Sequence, residues 1–318
     1  MYEKFENVLQ SINWQIDPIT LYRPIEYALR SGGKRLRPSL VGIACEMFNG
    51  DYKNTENAAI AIEIFHNFTL LHDDMMDDSP TRRNMETVHK KWNSNTAILS
   101  GDAMLIKSYE FLSKIPQKYW TDVFPLFTKT ALQVCEGQRF DMDFETMDDV
   151  TIEQYFEMIR LKTAVLLACS LKIGAILADA PQKECDLLYD FGIALGIAFQ
   201  LKDDYLDTFG DSDMLGKRIG GDILCRKKTF LLLSALTIAD EDIQKLIKII
   251  INSKIDTDEE KICQISEIYI NLSIPSICEQ EIGKYYKKAK YYLKNISLPE
   301  KNKENLGNLV EKLQIRQK

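Results

Sequence analysis

The sequence predicts an all-α protein, and three observations predict it. Apolar residues make up 45% of 318, enough for a large buried core. Apolar segments such as IAIEIFHNFTLLHDDMMDD and YDFGIALGIAFQLKDDYLD are too long for strands. Gly and Pro are few, and no two strand-like runs flank an Asn-Gly or Asp-Gly turn. No linker rich in Gly, Ser or Pro divides the chain and no repeat has a regular period, so residues 1–318 read as one large helical domain.

In chain order, SGGKRLRP (31–38) reads as a loop, with Lys34, Arg35 and Arg37 behind a Gly-Gly turn. A helix follows, ending in an aspartate cluster, and then a second loop, DSPTRRN (78–84), carrying Arg82 and Arg83. Two later segments are hydrophobic nearly all round, with small residues interleaved: Ala164, Ala168, Gly174 and Ala175 in one, Gly192, Ala194, Gly196 and Ala198 in the other. Such helices belong at the centre of a bundle, where small side chains permit close approach. Loops are expected again at FGDSDMLGKRIGGD (209–222), which contains Lys217, and at NSKIDTDEE (252–260) before a Lys- and Tyr-rich tail region. Lys227 and Lys228 lie between them in RKKTF.

The net charge of −7 argues against a general nucleic-acid binder, though an acidic total can hide a basic pocket for small anions. The seven cysteines form no CxxC pair and read as reduced core residues of a cytoplasmic protein. MYEKFENVLQ lacks the apolar core of a signal peptide, and no uncharged apolar run reaches the roughly 18 residues of a membrane span, so no integral membrane protein is expected.

Two aspartate clusters have the same pattern, DDxxD: Asp73, Asp74 and Asp77, and Asp203, Asp204 and Asp207. On a helix, positions i, i+1 and i+4 fall within an arc of roughly 100°. Each triplet therefore points one way, and each follows an apolar helix. Hard divalent cations take oxygen ligands, and Mg²⁺ commonly bridges carboxylates and substrate phosphates. One such cluster alone reads as a solvated helix end; two copies favour a group of Mg²⁺ ions around a diphosphate. Neither has the DxDxDG loop of an EF-hand.

The basic residues stand in loops beside the acidic clusters and in two sets, which suggests two phosphate-bearing ligands, one bound through metal and one by side chains. His66 lies seven residues before Asp73, about 20° away on the same helix face, which favours a phosphate contact over an ordinary core histidine. No zinc spacing, nucleophile elbow or P-loop is present.

Taken together, GGKRLRP, DDMMDDSPTRR, GQRFD, KT, FQLKDDYLD, GK and KKT resemble the trans-isoprenyl diphosphate synthases, in that order, from about residue 30 to 232. The resemblance implies a large all-α bundle with a deep central cavity, a homodimer, and three Mg²⁺ per active site. It implies condensation of isopentenyl diphosphate with an allylic diphosphate. Asp73, Asp74, Asp77, Asp203 and Asp207 are then the metal carboxylates, supported by Asp204 and by Asp141. Arg82, Lys162, Lys217 and Lys227 bind the allylic diphosphate, and Lys34, Arg37, His66 and Arg83 bind isopentenyl diphosphate. Thr163 and Gln200 lie near the developing allylic cation. Asn84 stands where the family usually has Gly, and Asn tolerates left-handed backbone less freely than Gly.

A class I terpene cyclase would need no second ligand site, and its second metal motif is usually of the Asn/Ser/Glu type; a head-to-head condensing enzyme is disfavoured likewise. A silent regulatory subunit would be expected to have lost an Asp cluster, and this chain keeps both. Product length rests on a cavity floor, for which the resemblance nominates Phe68 and ideal-helix arithmetic Thr69. Phe68, with no insertion in the first DDxxD, favours geranylgeranyl diphosphate, with farnesyl diphosphate the nearest alternative.

Overall fold

Helix formation dominates because the long apolar segments carry few breakers, and caps mark where they start. The computed structural model describes residues 2–210, 219–253, 255 and 257–315. The chain packs as two compact units, Met1–Thr128 with Cys169–Asp186, and Lys129–Ala168 with Leu187–Lys318.

The first unit contains α1 (Tyr2–Gln10), α2 (Ile19–Arg30), α3 (Leu36–Met47), α4 (Glu56–Met76), α5 (Val88–Lys91), α6 (Ser94–Leu112) and the start of α7 (Trp120–Thr146). Helix α4 is its axis: it packs along α6 and against α3, and buries Ile60, Ile62, Ile64, Phe65, Phe68 and Leu71. Asn93 caps α6 by accepting from the Thr96 amide at 2.8 Å, which satisfies a donor the helix cannot.

The predicted loop at 31–38 is shorter, since α3 already begins at Leu36. Arg35 is not a ligand-facing loop residue. It is 3% exposed and buried in a polar network. Its Nη1 donates to Glu63 Oε1 at 2.5 Å, its Nε to Glu6 Oε2 at 3.0 Å and its Nη2 to the Leu29 carbonyl at 2.5 Å. Asn67 Nδ2 donates to the same Glu63 oxygen at 2.9 Å. One guanidinium thus ties α1, the end of α2 and α4 to the start of α3.

The second unit contains the rest of α7, α8 (Ile152–Ile159), a π turn (Arg160–Ala164), most of α10 (Gln182–Phe209) and a series of shorter helices. These are α11 (Gly221–Leu224), α12 (Phe230–Ile238), α13 (Glu241–Asn252), α14 (Asp258–Asn271), α15 (Ile274–Asn295) and α16 (Glu300–Gln314). Helix α9 (Val165–Ile176) follows the π turn, and the unit boundaries fall within α7, α9 and α10. Thr151 with Gln154, and Thr257 with Glu260, form reciprocal capping boxes that start α8 and α14.

The small residues do the packing work expected of them. A Cβ on Gly192 would stand 2.4 Å from Ala168 Cα, and one on Gly196 would stand 2.5 Å from Ala164 Cα. In the first unit a Cβ on Gly174 would stand 2.1 Å from the Val41 carbonyl oxygen. Four cysteines are buried core residues as expected, but Cys135, Cys225 and Cys263 are exposed, and all seven are free. Among the described residues no helix is long and apolar enough to cross a membrane.

Removing one member of a buried ion pair leaves its partner's charge desolvated. Glu63→Ala is therefore expected to cost about 3–5 kcal/mol in urea unfolding, while the double change Arg35→Met with Glu63→Leu costs less than the single one. A loss under about 1 kcal/mol for Glu63→Ala would show that Arg35 is satisfied without it.

Candidate active site

The first acidic cluster occupies the last turn of α4, so its geometry is set by the burial of that helix. Asp74 is buried, Asp73 half-buried, and Asp77 and Asp78 exposed. Arg82 neutralises the inner pair: its Nε donates to Asp74 Oδ1 at 2.6 Å and its Nη2 approaches Asp73 Oδ2 at 3.5 Å. Desolvation raises the Asp74 carboxyl above its ordinary range, with the Arg82 charge and hydrogen bond opposing it. Asp78 instead accepts from Lys90 Nζ at 2.6 Å.

Arg82 is delivered by a feature the sequence did not predict. Within and just beyond the expected loop at 78–84 lies a small antiparallel hairpin, β1 (Thr81–Arg82) paired with β2 (Met85–Glu86). Arg83 (φ 53°) and Asn84 (φ 63°) are its two turn residues, both left-handed, as a type I′ turn requires. Asn is among the residues that accept this conformation, so the departure from Gly is accommodated. No run of alternating apolar residues announces so short a hairpin, which is why sequence patterning missed it.

The turn also aims Arg83. Its Nη1 donates to the Gly32 carbonyl, and a Cβ on Gly33 would meet the guanidinium at 2.6 Å. The Gly-Gly turn thus leaves space for an arginine, with Gly33 at φ 127°. Nearby, Arg37 Nη1 lies 3.1 Å from His66 Nε2. Desolvation holds His66 well below its ordinary pKa, and the charges of Arg37, Arg83, Arg82 and Arg35 push the same way. The imidazole is therefore neutral among four guanidiniums. Lys34 is exposed at the entry to this loop. Phe68 is 8% exposed and packs between Phe65 and His72, with ring centroids 5.6 and 4.9 Å away. Thr69 Oγ1 donates to the His66 carbonyl.

In the second unit Asp203 is half-buried, whereas Asp204 and Asp207 are buried. Asp204 Oδ2 accepts from the Tyr155 hydroxyl at 2.6 Å and Oδ1 from Gln200 Nε2 at 2.9 Å. Burial pushes this carboxyl up to about 8, with Asp222 adding repulsion, against the two hydrogen bonds. Asp207 Oδ2 accepts the Asp222 amide at 2.8 Å, at the start of α11. Thr163 Oγ1 donates to Gln200 Oε1 at 2.9 Å, and Lys162 Nζ meets Asp141 Oδ2 at 2.5 Å. Lys162, Lys227 and Lys228 line one open cleft with Asp141, Asp204 and Asp222. Lys217 lies outside the described residues.

The structure therefore brings together Arg37, His66, Arg82 and Arg83 with Asp73 and Asp74 in one unit, and Lys162, Thr163, Gln200, Asp204 and Lys227 in the other. Tyr155, Asp222, Glu63 and Asn67 were not singled out from sequence. Tyr155 and Asn67 carry no motif; Asp222, directly behind a Gly-Gly pair, could have been noticed. Among the described residues no three His, Cys, Asp or Glu side chains converge on one point. The donors at each cluster are nonetheless all carboxylate oxygens, and the Asp73–Asp74 pair already draws a cation, Arg82. That donor chemistry fits a hard divalent ion.

A model of the polyprenyl synthetase family matches residues 18–269, and the chain belongs to that family. It is 39% identical over 261 residues to the short chain isoprenyl diphosphate synthase of Methanocaldococcus jannaschii, covering 80% of each chain. It is 35% identical over 303 residues to the geranylgeranyl diphosphate synthase of Sulfolobus acidocaldarius, covering 92% of this chain and 91% of that one. A crystal structure of a geranylgeranyl pyrophosphate synthase superposes with a TM-score of 0.92 at 42% identity, covering 99% of this chain and 96% of that one. The all-α fold is accordingly that of the prenyl diphosphate synthases, and the chain is a prenyltransferase.

The hairpin turn generates a test. Asn84→Gly should leave stability within about 0.5 kcal/mol of wild type, because both residues accept positive φ. Asn84→Val should cost about 1–3 kcal/mol in thermal or urea unfolding, since a β-branched residue there is strained. Equal stability of the two variants would contradict the I′ turn.

Proposed function

We propose that the chain condenses isopentenyl diphosphate head-to-tail with an allylic diphosphate, giving geranylgeranyl or farnesyl diphosphate. The observation that carries this reading is the concentration of Arg37 and Arg83 around a neutral His66, while Arg82 turns to Asp73 and Asp74 and a separate group of lysines lines a cleft in the other unit. Two cationic sets suit two diphosphate substrates. A cyclase, with one diphosphate to bind, would leave one set without a purpose.

In this reading Lys34, Arg37, His66 and Arg83 hold isopentenyl diphosphate. His66, uncharged and facing the Arg37 donor with Nε2, has its other ring N–H to donate while the arginines carry the charge. Arg82, Lys162, Lys217 and Lys227 hold the allylic diphosphate. Asp73, Asp74, Asp77, Asp203 and Asp207 would hold Mg²⁺, three ions per site, with Asp204 fixing the second cluster through Tyr155 and Gln200. When bound there, the metal would supply charge neutralisation to the leaving diphosphate, which favours cleavage of the allylic C–O bond. The Thr163 and Gln200 oxygens lie close enough together to stabilise a developing allylic cation. The double bond of isopentenyl diphosphate attacks that cation, and a proton leaves to the departing diphosphate. No side-chain nucleophile is required.

The chain acts in this proposal as one domain over residues 1–318, which agrees with unit boundaries lying inside helices rather than in linkers. It works as a homodimer; the exposed Ile98, Leu99 and Ile106 on α6 supply apolar surface for association. Seven free thiols suit the cytoplasm. Phe68 is the cavity floor that stops the growing chain.

Asp73→Ala and Asp203→Ala should each lower turnover by at least about a hundredfold, as loss of a main electrostatic stabiliser does, with unchanged circular dichroism. Near-normal turnover in either would sink the two-cluster reading. Phe68→Ala should shift dephosphorylated products to longer prenyl chains on chromatography; an unaltered distribution would remove Phe68 from the role of floor.

A further inference from the structure

The GQRFD segment of α7 has no ligand assigned to its glycine, yet the backbone there is in unusually close contact with the π turn. Within that turn the Val165 amide donates to the Arg160 carbonyl, five residues back. Such a turn accommodates one extra residue in the helical path and commonly marks a functional position. A Cβ built on Gly137 would lie 2.3 Å from the Lys162 amide nitrogen and 2.7 Å from both Lys162 Cα and the Leu161 carbonyl carbon. All three atoms are backbone, so no flexible side chain can yield. Ordinary contact starts at 3.4 Å, so the turn would have to retreat by about 1 Å.

One helical turn further along α7, Asp141 meets the other end of the same residue, Lys162 Nζ, at 2.5 Å. The next residue, Thr163, is held from α10 by Gln200 at 2.9 Å. Lys162 is thus fixed at its backbone by Gly137 and at its ammonium by Asp141, and Thr163 moves with it. Gly192 makes a comparable approach, but the three atoms nearest a Cβ there all belong to Ala168.

We infer that Gly137 is a positioning residue for the prenyl transfer: its missing side chain lets α7 seat the π turn so that Lys162 and Thr163 face the allylic diphosphate. The inference rests on the proposed role of Lys162 as a diphosphate contact.

The test is a double-mutant cycle with a packing control, reading melting temperature and steady-state constants for the allylic substrate. Gly137→Ala and Gly192→Ala should both lower the melting temperature. Only Gly137→Ala should reduce kcat/KM, by about a hundredfold, the cost of a 1 Å misplacement. In a Lys162→Ala background the effect of Gly137→Ala should shrink, because residues acting through one another are not additive. Asp141→Asn, which changes charge at constant volume, gives a second arm if Gly137→Ala does not fold, and its effect should also shrink in the Lys162→Ala background. Two results overturn the inference alone: Gly137→Ala matching Gly192→Ala in kcat/KM, or an undiminished effect of Gly137→Ala or Asp141→Asn on top of a damaging Lys162→Ala. An unchanged allylic KM in Lys162→Ala overturns the role of Lys162 and the inference with it.

Discussion

The structure depends on the compensation of like charges at the end of a buried helix. α4 is driven into the first unit by its isoleucines and phenylalanines, and it carries Asp73 and Asp74 with it. A buried carboxylate without a partner costs several kcal/mol, so positive charge must be brought to it. Arg82 meets that demand, which in turn requires the hairpin, its two left-handed turn residues and the glycine pair opposite Arg83. The same unit gathers further guanidiniums around His66 and keeps that ring neutral. The result is a surface rich in cations next to carboxylates, suited to an anion that arrives with its own metal.

At the second cluster uncharged groups donate to Asp204 and Asp207. A tyrosine hydroxyl and a glutamine amide hold Asp204, and burial raises its proton affinity. Asp207 takes a backbone amide. These hydrogen bonds hold the two carboxyl groups within the unit, while lysines line the cleft beside Asp204. The two DDxxD motifs are alike in sequence and differ in how each is supported.

The all-α class and the small-residue packing of Gly192 and Gly196 were legible in sequence, because apolar periodicity and interleaved small residues report directly on burial. Arg37, His66 and Arg83 stand together as their grouping in sequence suggested, whereas Arg82, grouped there with the lysines, stands beside Asp73 and Asp74 in the first unit. The partners were not legible: Arg35 stands in the same basic segment as Lys34 and Arg37, and only the positions of Glu6 and Glu63 make it structural. The hairpin at Thr81–Glu86 was invisible because two-residue strands leave no periodic signal. Gly137 looked like part of a motif; its role as clearance for the Lys162 backbone depends on a π turn that no local pattern specifies.

This chain by itself is expected to unite two diphosphate substrates in a reaction that needs a divalent ion. The most direct measurement is incubation of the purified protein with labelled isopentenyl diphosphate and an allylic diphosphate, with Mg²⁺, and then with excess chelator. Label should appear in a prenyl diphosphate longer than the primer, abolished by the chelator and restored by added Mg²⁺. Label left entirely in isopentenyl diphosphate, or a hydrocarbon formed from the allylic substrate alone, would contradict it.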